Sequence, residues 1–174
     1  VLVSHLYGEK NYARLSTLVQ SIFITVLLFA TLFTAAGIVL TEQLLAALST
    51  PVELIPAASL YLRTVLCGML AQLLYNTASA ILRALGNTTS ALHYLAAAVV
   101  LNIALDVVLL IVIPCGIAGA AAATVLAQYA AALLALWKLF HLRGTWKLRF
   151  HRPFFALRHL LPILSTSIPA GLQA

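Results

Sequence analysis

Charge is what this 174-residue chain has least of. Lys, Arg, Asp and Glu together make up 8% of it, against about 25% in ordinary globular proteins. Hydrophobic residues make up 63%. A soluble domain of this length cannot hide that much apolar surface, so the composition excludes one and points to an integral membrane protein. Cysteine is scarce too. Cys67 lies in an apolar run and Cys115 in a short turn, which fits two buried or idle thiols better than a disulfide, and no metal or redox spacing is present. There is a single methionine, Met69, and the chain opens on Val1 with no start residue or signal peptide. It ends on "STSIPAGLQA", polar enough to begin a helix and too short to finish one. These features lead us to expect an internal piece of a longer, transporter-sized protein.

What the chain does have is long uncharged runs. No Asp, Glu, Lys or Arg stands between Leu15 and Thr41, nor between Arg63 and Arg83. From Ala84 to Trp137 the only acid or base besides His93 is Asp106. That last stretch is too long for one crossing, and "IPCGIAG" (113–119), with its Pro and two Gly, divides it in two. The run lengths, without period-two alternation, predict helices rather than barrel strands. The expected fold is all-α: a polytopic transmembrane helix bundle with four complete spans, at 15–39, 57–82, 91–113 and 117–140. A partial helix precedes them at 1–7, and the start of another follows at 160–174.

The net charge of +6 would suggest nucleic acid in a soluble protein, but here the cations are sorted by loop. Lys10, Arg14, Arg83, Lys138, Arg143, Lys147, Arg149, Arg152 and Arg158 fall in 8–14, 83–93 and 138–159. The alternate connections, 40–56 and 113–119, hold Glu42 and Glu53 and no Lys or Arg. Only Arg63 breaks the pattern. The bias predicts that the basic connections are cytoplasmic, with no nucleic-acid partner. The loop 138–159 reads as a topology anchor more simply than as an anionic-lipid site.

Asp106 is costly where it stands, since Asp at a membrane helix centre is disfavoured by roughly 2.5–3.5 kcal/mol. Asn102 is one turn away on the same face. Thr124 sits seven residues from the start of the next span, as Asp106 does from the end of its own, so the three are expected to share one layer. The small residues of "AGAAAATVLAQ" let the two helices approach closely. Carboxylate, amide and hydroxyl oxygens at one depth suit a sodium ion or a proton. Two other readings stand beside this one: Asp106 as a neutral strut between helices, and Thr124 bonded to its own backbone. Tyr61 and Gln72 are candidates for a substrate pathway. Tyr61 could stack on an aromatic cation or serve as an interfacial anchor. No catalytic residues are expected: one intramembrane acid cannot form an aspartyl dyad, and no nucleophile motif is present.

The stretches "SHLYGEKNYAR" (4–14), "ILRALGNTTSAL" (81–92), "LNIALDVVLL" (101–110), "GIAGAAAATVLAQ" (116–128) and "IPAGLQ" (168–173) resemble, in order, the multidrug and toxic compound extrusion (MATE) family. The resemblance implies a twelve-helix, two-lobe transporter. Residues 1–159 would then be the first lobe from the end of helix 2 through helix 6 and the linker, and 160–174 the start of helix 7. It implies a cation-coupled antiporter of the bacterial inner membrane, monomeric when full length, with sodium or protons as coupling ion and no other cofactor. The exported compounds would be small organic molecules, often cationic. A flippase for lipid-linked saccharides, from the same broad superfamily, is the alternative. The resemblance also implies an ion site of an Asp and Asn on helix 5, a Thr on helix 6 and an Asp on helix 1. Asp106, Asn102 and Thr124 match the first three. Asn87 departs from the pattern, standing where many members have an acid.

Overall fold

In hydrocarbon every backbone N–H and C=O must pair within its own segment, so an uncharged run long enough to cross becomes a helix. The computed structural model of the chain describes residues 2–142. Those residues form helices α1 (Leu2–Gly8), α2 (Tyr12–Ala47), α3 (Ile55–Ala84), α4 (Thr88–Asp106) and α5 (Gly116–Phe140). A 3-10 turn, Val52–Leu54, leads into α3, and a π-helical segment, Val107–Val112, continues α4. Four of these helices, with their extensions, are long and apolar enough to cross a membrane. This is the expected all-α bundle of four spans. The expected linker and helix head at 160–174 lie outside the described residues.

The connections are tighter than the charge pattern suggested. Residues 40–56 do not form a loop. Helix α2 runs on through Glu42 to Ala47 because "TEQLLAA" contains strong helix formers and no Gly or Pro. Its 36 residues span about 54 Å at 1.5 Å per residue, well beyond the ~30 Å hydrocarbon core. The other turns are short for local reasons. Asn11 and Asn87 cap α2 and α4, their side chains accepting the backbone N–H of Arg14 and Ser90 at 3.3 Å. Asn87 thus performs the capping that an acid would perform there. Gly86, at φ +85°, closes α3 with Asn87 N–H donating to Leu82 O at 2.8 Å.

The basic residues Lys10, Arg14, Arg83 and Lys138 gather at one end of the bundle, here called the basic end. Near it, Leu15, Leu18, Val19, Ile81, Leu82 and Leu139 are buried with Val3 of α1 in one cluster. Toward the middle the packing changes character. Ala71 and Ala78 of α3, Ala98 of α4, and Ala131, Ala132 and Ala135 of α5 form a second cluster whose only large member is Tyr75. With only small side chains at the contacts, α5 approaches both α3 and α4 closely. Tyr75 is 7% exposed and its hydroxyl donates to Ala91 O at 3.0 Å, tying α3 to α4. Two further donors, Thr34 of α2 and Tyr129 of α5, reach the carbonyls of Leu66 and Cys67 on α3 at 3.3 and 3.2 Å. Helix α3 is therefore held from three sides.

Arg63, the cation on the wrong side of the charge pattern, is paired. Its guanidinium donates to Glu42 Oε1 at 2.9 Å. Both cysteines are free and exposed.

A polar layer between the fourth and fifth helices

Asp106 is the last α-helical residue of α4, and the ladder changes directly after it. Val107 N–H bonds to Ile103 O and Ala104 O, whereas Ile113 N–H reaches back five residues to Val108 O at 2.9 Å. The slip from four to five residues widens the helix and leaves one more donor than acceptors between those points. Such π segments are frequent at functional sites, and nothing in the residue types announced this one. Pro114 and Gly116, at φ +59°, then reverse the chain.

Gly119 fixes how α4 meets α5. A Cβ on it would lie 2.8 Å from Leu109 O and 3.2 Å from Leu109 Cβ, so only glycine allows this approach. The two helices are antiparallel. Counting five residues inward from this contact on each strand brings Thr124 level with Ala104. Thr124 thus lies between the levels of Asp106 and Asn102, roughly 3 Å along the axis from each.

All three side chains are half-buried. Asn102 shares the helix face of Ala91 and Ala98, the two buried residues of α4, and its Nδ2 is buried with no hydrogen-bond partner. The hydroxyl of Thr124 donates to its own helix at Ala120 O, 3.1 Å away, which leaves its lone pairs free to accept. Among the described residues the ion pairs are His5–Glu9 and Arg63–Glu42, so no described cation neutralises Asp106. The arrangement offers carboxylate, amide and hydroxyl oxygens along about one helical turn. Either end of the Asn102 amide can be turned toward Asp106, and with oxygen there it adds a ligand for a hard cation.

The other candidates lie elsewhere. Tyr61 and Gln72 are both exposed on α3. They lie about 20° apart at 100° per residue, on a face that the described helices leave uncovered. Residue reasoning passed over Gln128 on α5. Its Oε1 is buried without a partner, and it presses on Gly68 of α3, where a Cβ would collide with it. A glutamine four residues after Thr124 was the available signal.

Comparison with known proteins gives one consistent answer. The MatE family model matches residues 1–108. The chain is 34% identical to the probable multidrug resistance protein YpnP of Bacillus subtilis over 99% of its own length and 38% of that protein's. It is 47% identical over 57 residues to the chloroplastic protein DETOXIFICATION 44 of Arabidopsis thaliana, covering 33% of this chain and 11% of that one. Among solved structures, an inward-facing multidrug resistance MATE family transporter of the MOP superfamily superposes with a TM-score of 0.81 at 22% identity. That match covers 92% of this chain and 38% of the other. A MATE structure in a bent conformation gives the same score at 23% identity, covering 91% and 36%.

Proposed function

Because the chain belongs to the MatE family and forms a multi-pass membrane bundle, we propose that the protein it is part of is a secondary antiporter. The chain spans about two fifths of the length of YpnP. The proposed protein exports small organic compounds, cationic ones among them, across a bacterial inner membrane in exchange for sodium ions or protons. It works as a monomer and binds no nucleic acid. YpnP carries the description of a probable multidrug resistance protein, and that supports export as the direction.

The observation that carries this reading is Asp106, a carboxylate inside an apolar span, beside a buried amide with no partner and a hydroxyl with free lone pairs. Burial raises a carboxyl's proton affinity, while a bound cation or hydrogen-bond donors lower it. A group held between those tendencies exchanges its charge for a proton or a metal ion. In this proposal Asp106 carries that exchange, with Asn102 and Thr124 as its partners. Tyr61 and Gln72 line the path of the exported compound. The saccharide-flippase alternative calls for a cation-lined cavity, and among the described residues Arg63 is the one Lys or Arg away from the basic end. Its guanidinium is already occupied by Glu42.

The test is Asp106→Asn in the full-length protein, reconstituted in vesicles with an imposed sodium or pH gradient and a fluorescent organic cation. The substitution keeps size and hydrogen bonding and removes the titratable charge. Normal insertion with loss of gradient-driven export is the expected result. A strut tolerates the change, since a neutral amide is easier to bury than a carboxylate. Near-normal transport would therefore reduce Asp106 to a strut.

A further inference from the structure

Two of the four buried polar atoms that lack a partner among the described residues are Asn102 Nδ2 and Gln128 Oε1. One is assigned as a donor and the other is an acceptor. The packing beneath them shows how they are related. Ala71, Ala98 and Ala131 belong to one cluster. One turn farther from the basic end, the same faces of the three helices carry Gly68, Asn102 and Gln128, at −3, +4 and −3 from those alanines. The three residues therefore form the next layer of the seam. Gly68 supplies the room, because a Cβ there would occupy the position of Gln128 Oε1 and stand 3.0 Å from Val125 Cγ2. A buried amide atom without a partner is disfavoured, and this layer leaves two of them, a donor and an acceptor.

We infer that Gln128 is a positioning residue for the Asp106 site: Asn102 Nδ2 and Gln128 Oε1 are not bonded to each other, and Gln128 Oε1 accepts from Asn102 Nδ2 through one buried water, which turns Asn102 Oδ1 toward Asp106. Asn102 stands one turn from Asp106, and its amide has two unlike ends. Whichever end Gln128 holds, the other is left for the ion. An acceptor on Gln128 selects the orientation that presents oxygen. Gly68 is the socket that keeps Gln128 in place, so three helices contribute to the aim of one amide. This inference rests on the ion-site reading above and deepens it.

The experiment uses the full-length protein in vesicles and measures export against the concentration of the coupling ion. Sodium and proton gradients are tested separately, so that whichever drives export is titrated. Gln128→Met keeps the length and packing of the side chain and removes its acceptor. The ion concentration giving half-maximal export should rise about tenfold, the usual scale for losing a residue that orients a ligand, while the maximal rate at saturating ion stays close to normal. In an Asn102→Ala background Gln128→Met should have no further effect, because the amide it orients is gone. An unchanged half-maximal concentration would overturn the inference, as would a fall in rate and thermal stability alone. Effects of the two substitutions that multiply would overturn it too. If Asp106→Asn abolishes coupling and Gln128→Met is silent, the positioning role falls and the ion site stands. If Asp106→Asn transports normally, both fall together.

Discussion

The two buried clusters of this bundle solve the same problem in opposite ways. Near the basic end, leucines, valines and an isoleucine interdigitate between α1, α2, α3 and α5. In the middle, alanines bring α3, α4 and α5 together with little side chain between them. Lipid tails are as apolar as leucine, so neither cluster gains from leaving water in the way a soluble core does. The leucine cluster holds by surface contact, and every atom in it is apolar. The alanine seam holds by backbone proximity, which has a second effect. Side chains on its border are sealed from lipid without being filled in, and the polar groups Asn102 and Gln128 sit there. The difference teaches that packing by small residues leaves room at its border for longer polar side chains, and Gln128 takes that room against Gly68.

Breaking the seam should have the largest effect on the fold. Ala131→Leu inserts three carbons where three helices meet, and overpacking of this kind is disfavoured by about 3 kcal/mol. Thermal unfolding of the full-length protein in detergent should show it as a clear loss of stability. Leu82→Ala in the other cluster opens a cavity at a fully buried site. Its expected destabilisation is about 2 kcal/mol, the low end for such changes, since the lost contacts can be replaced by lipid when the helices separate. A larger loss from Leu82→Ala than from Ala131→Leu would reverse the ranking of the two clusters. Tyr75→Phe removes only the hydroxyl that reaches Ala91 O, at about 1 kcal/mol, and should show no loss of helix content by circular dichroism. Smallest of all is Arg63→Gln. Both partners of its pair with Glu42 are substantially exposed, at 46% and 66%, and exposed pairs contribute under about 1 kcal/mol. A thermal shift beyond a few degrees would mean that this pair is shielded by parts of the protein outside this chain.

The spans were legible because run length and charge placement are one-dimensional properties, and hydrocarbon leaves a long apolar run little choice but a helix. Asp106, Asn102 and Thr124 stood out for a related reason: oxygen-bearing side chains are conspicuous in an apolar sequence. Connection lengths were less legible. Charge marks where a chain leaves the membrane, and helices such as α2 continue past that point as long as nothing breaks them. The π segment at Val107–Val112 has no compositional mark, since "VVLLIV" is an equally good α-helix, and it arises from how the turn at Pro114 and the Gly119 contact draw in the end of α4. Gln128 was passed over because its significance depends on Gly68, a residue 60 positions away. Pairings of that kind exist only once helices have been placed side by side.

Six of the seven residues in the central seam are alanine, and an alanine has no χ angle. Packing it freezes no rotamer, whereas each leucine of the other cluster surrenders about 0.5–1 kcal/mol of side-chain entropy at room temperature, a debt that grows as the temperature rises. The leucine cluster should therefore loosen progressively on warming, rotamer by rotamer. The seam has no such intermediate states to populate. Its helices are either in contact or apart, and up to the temperature at which they part, the surroundings of Asp106 should keep one shape.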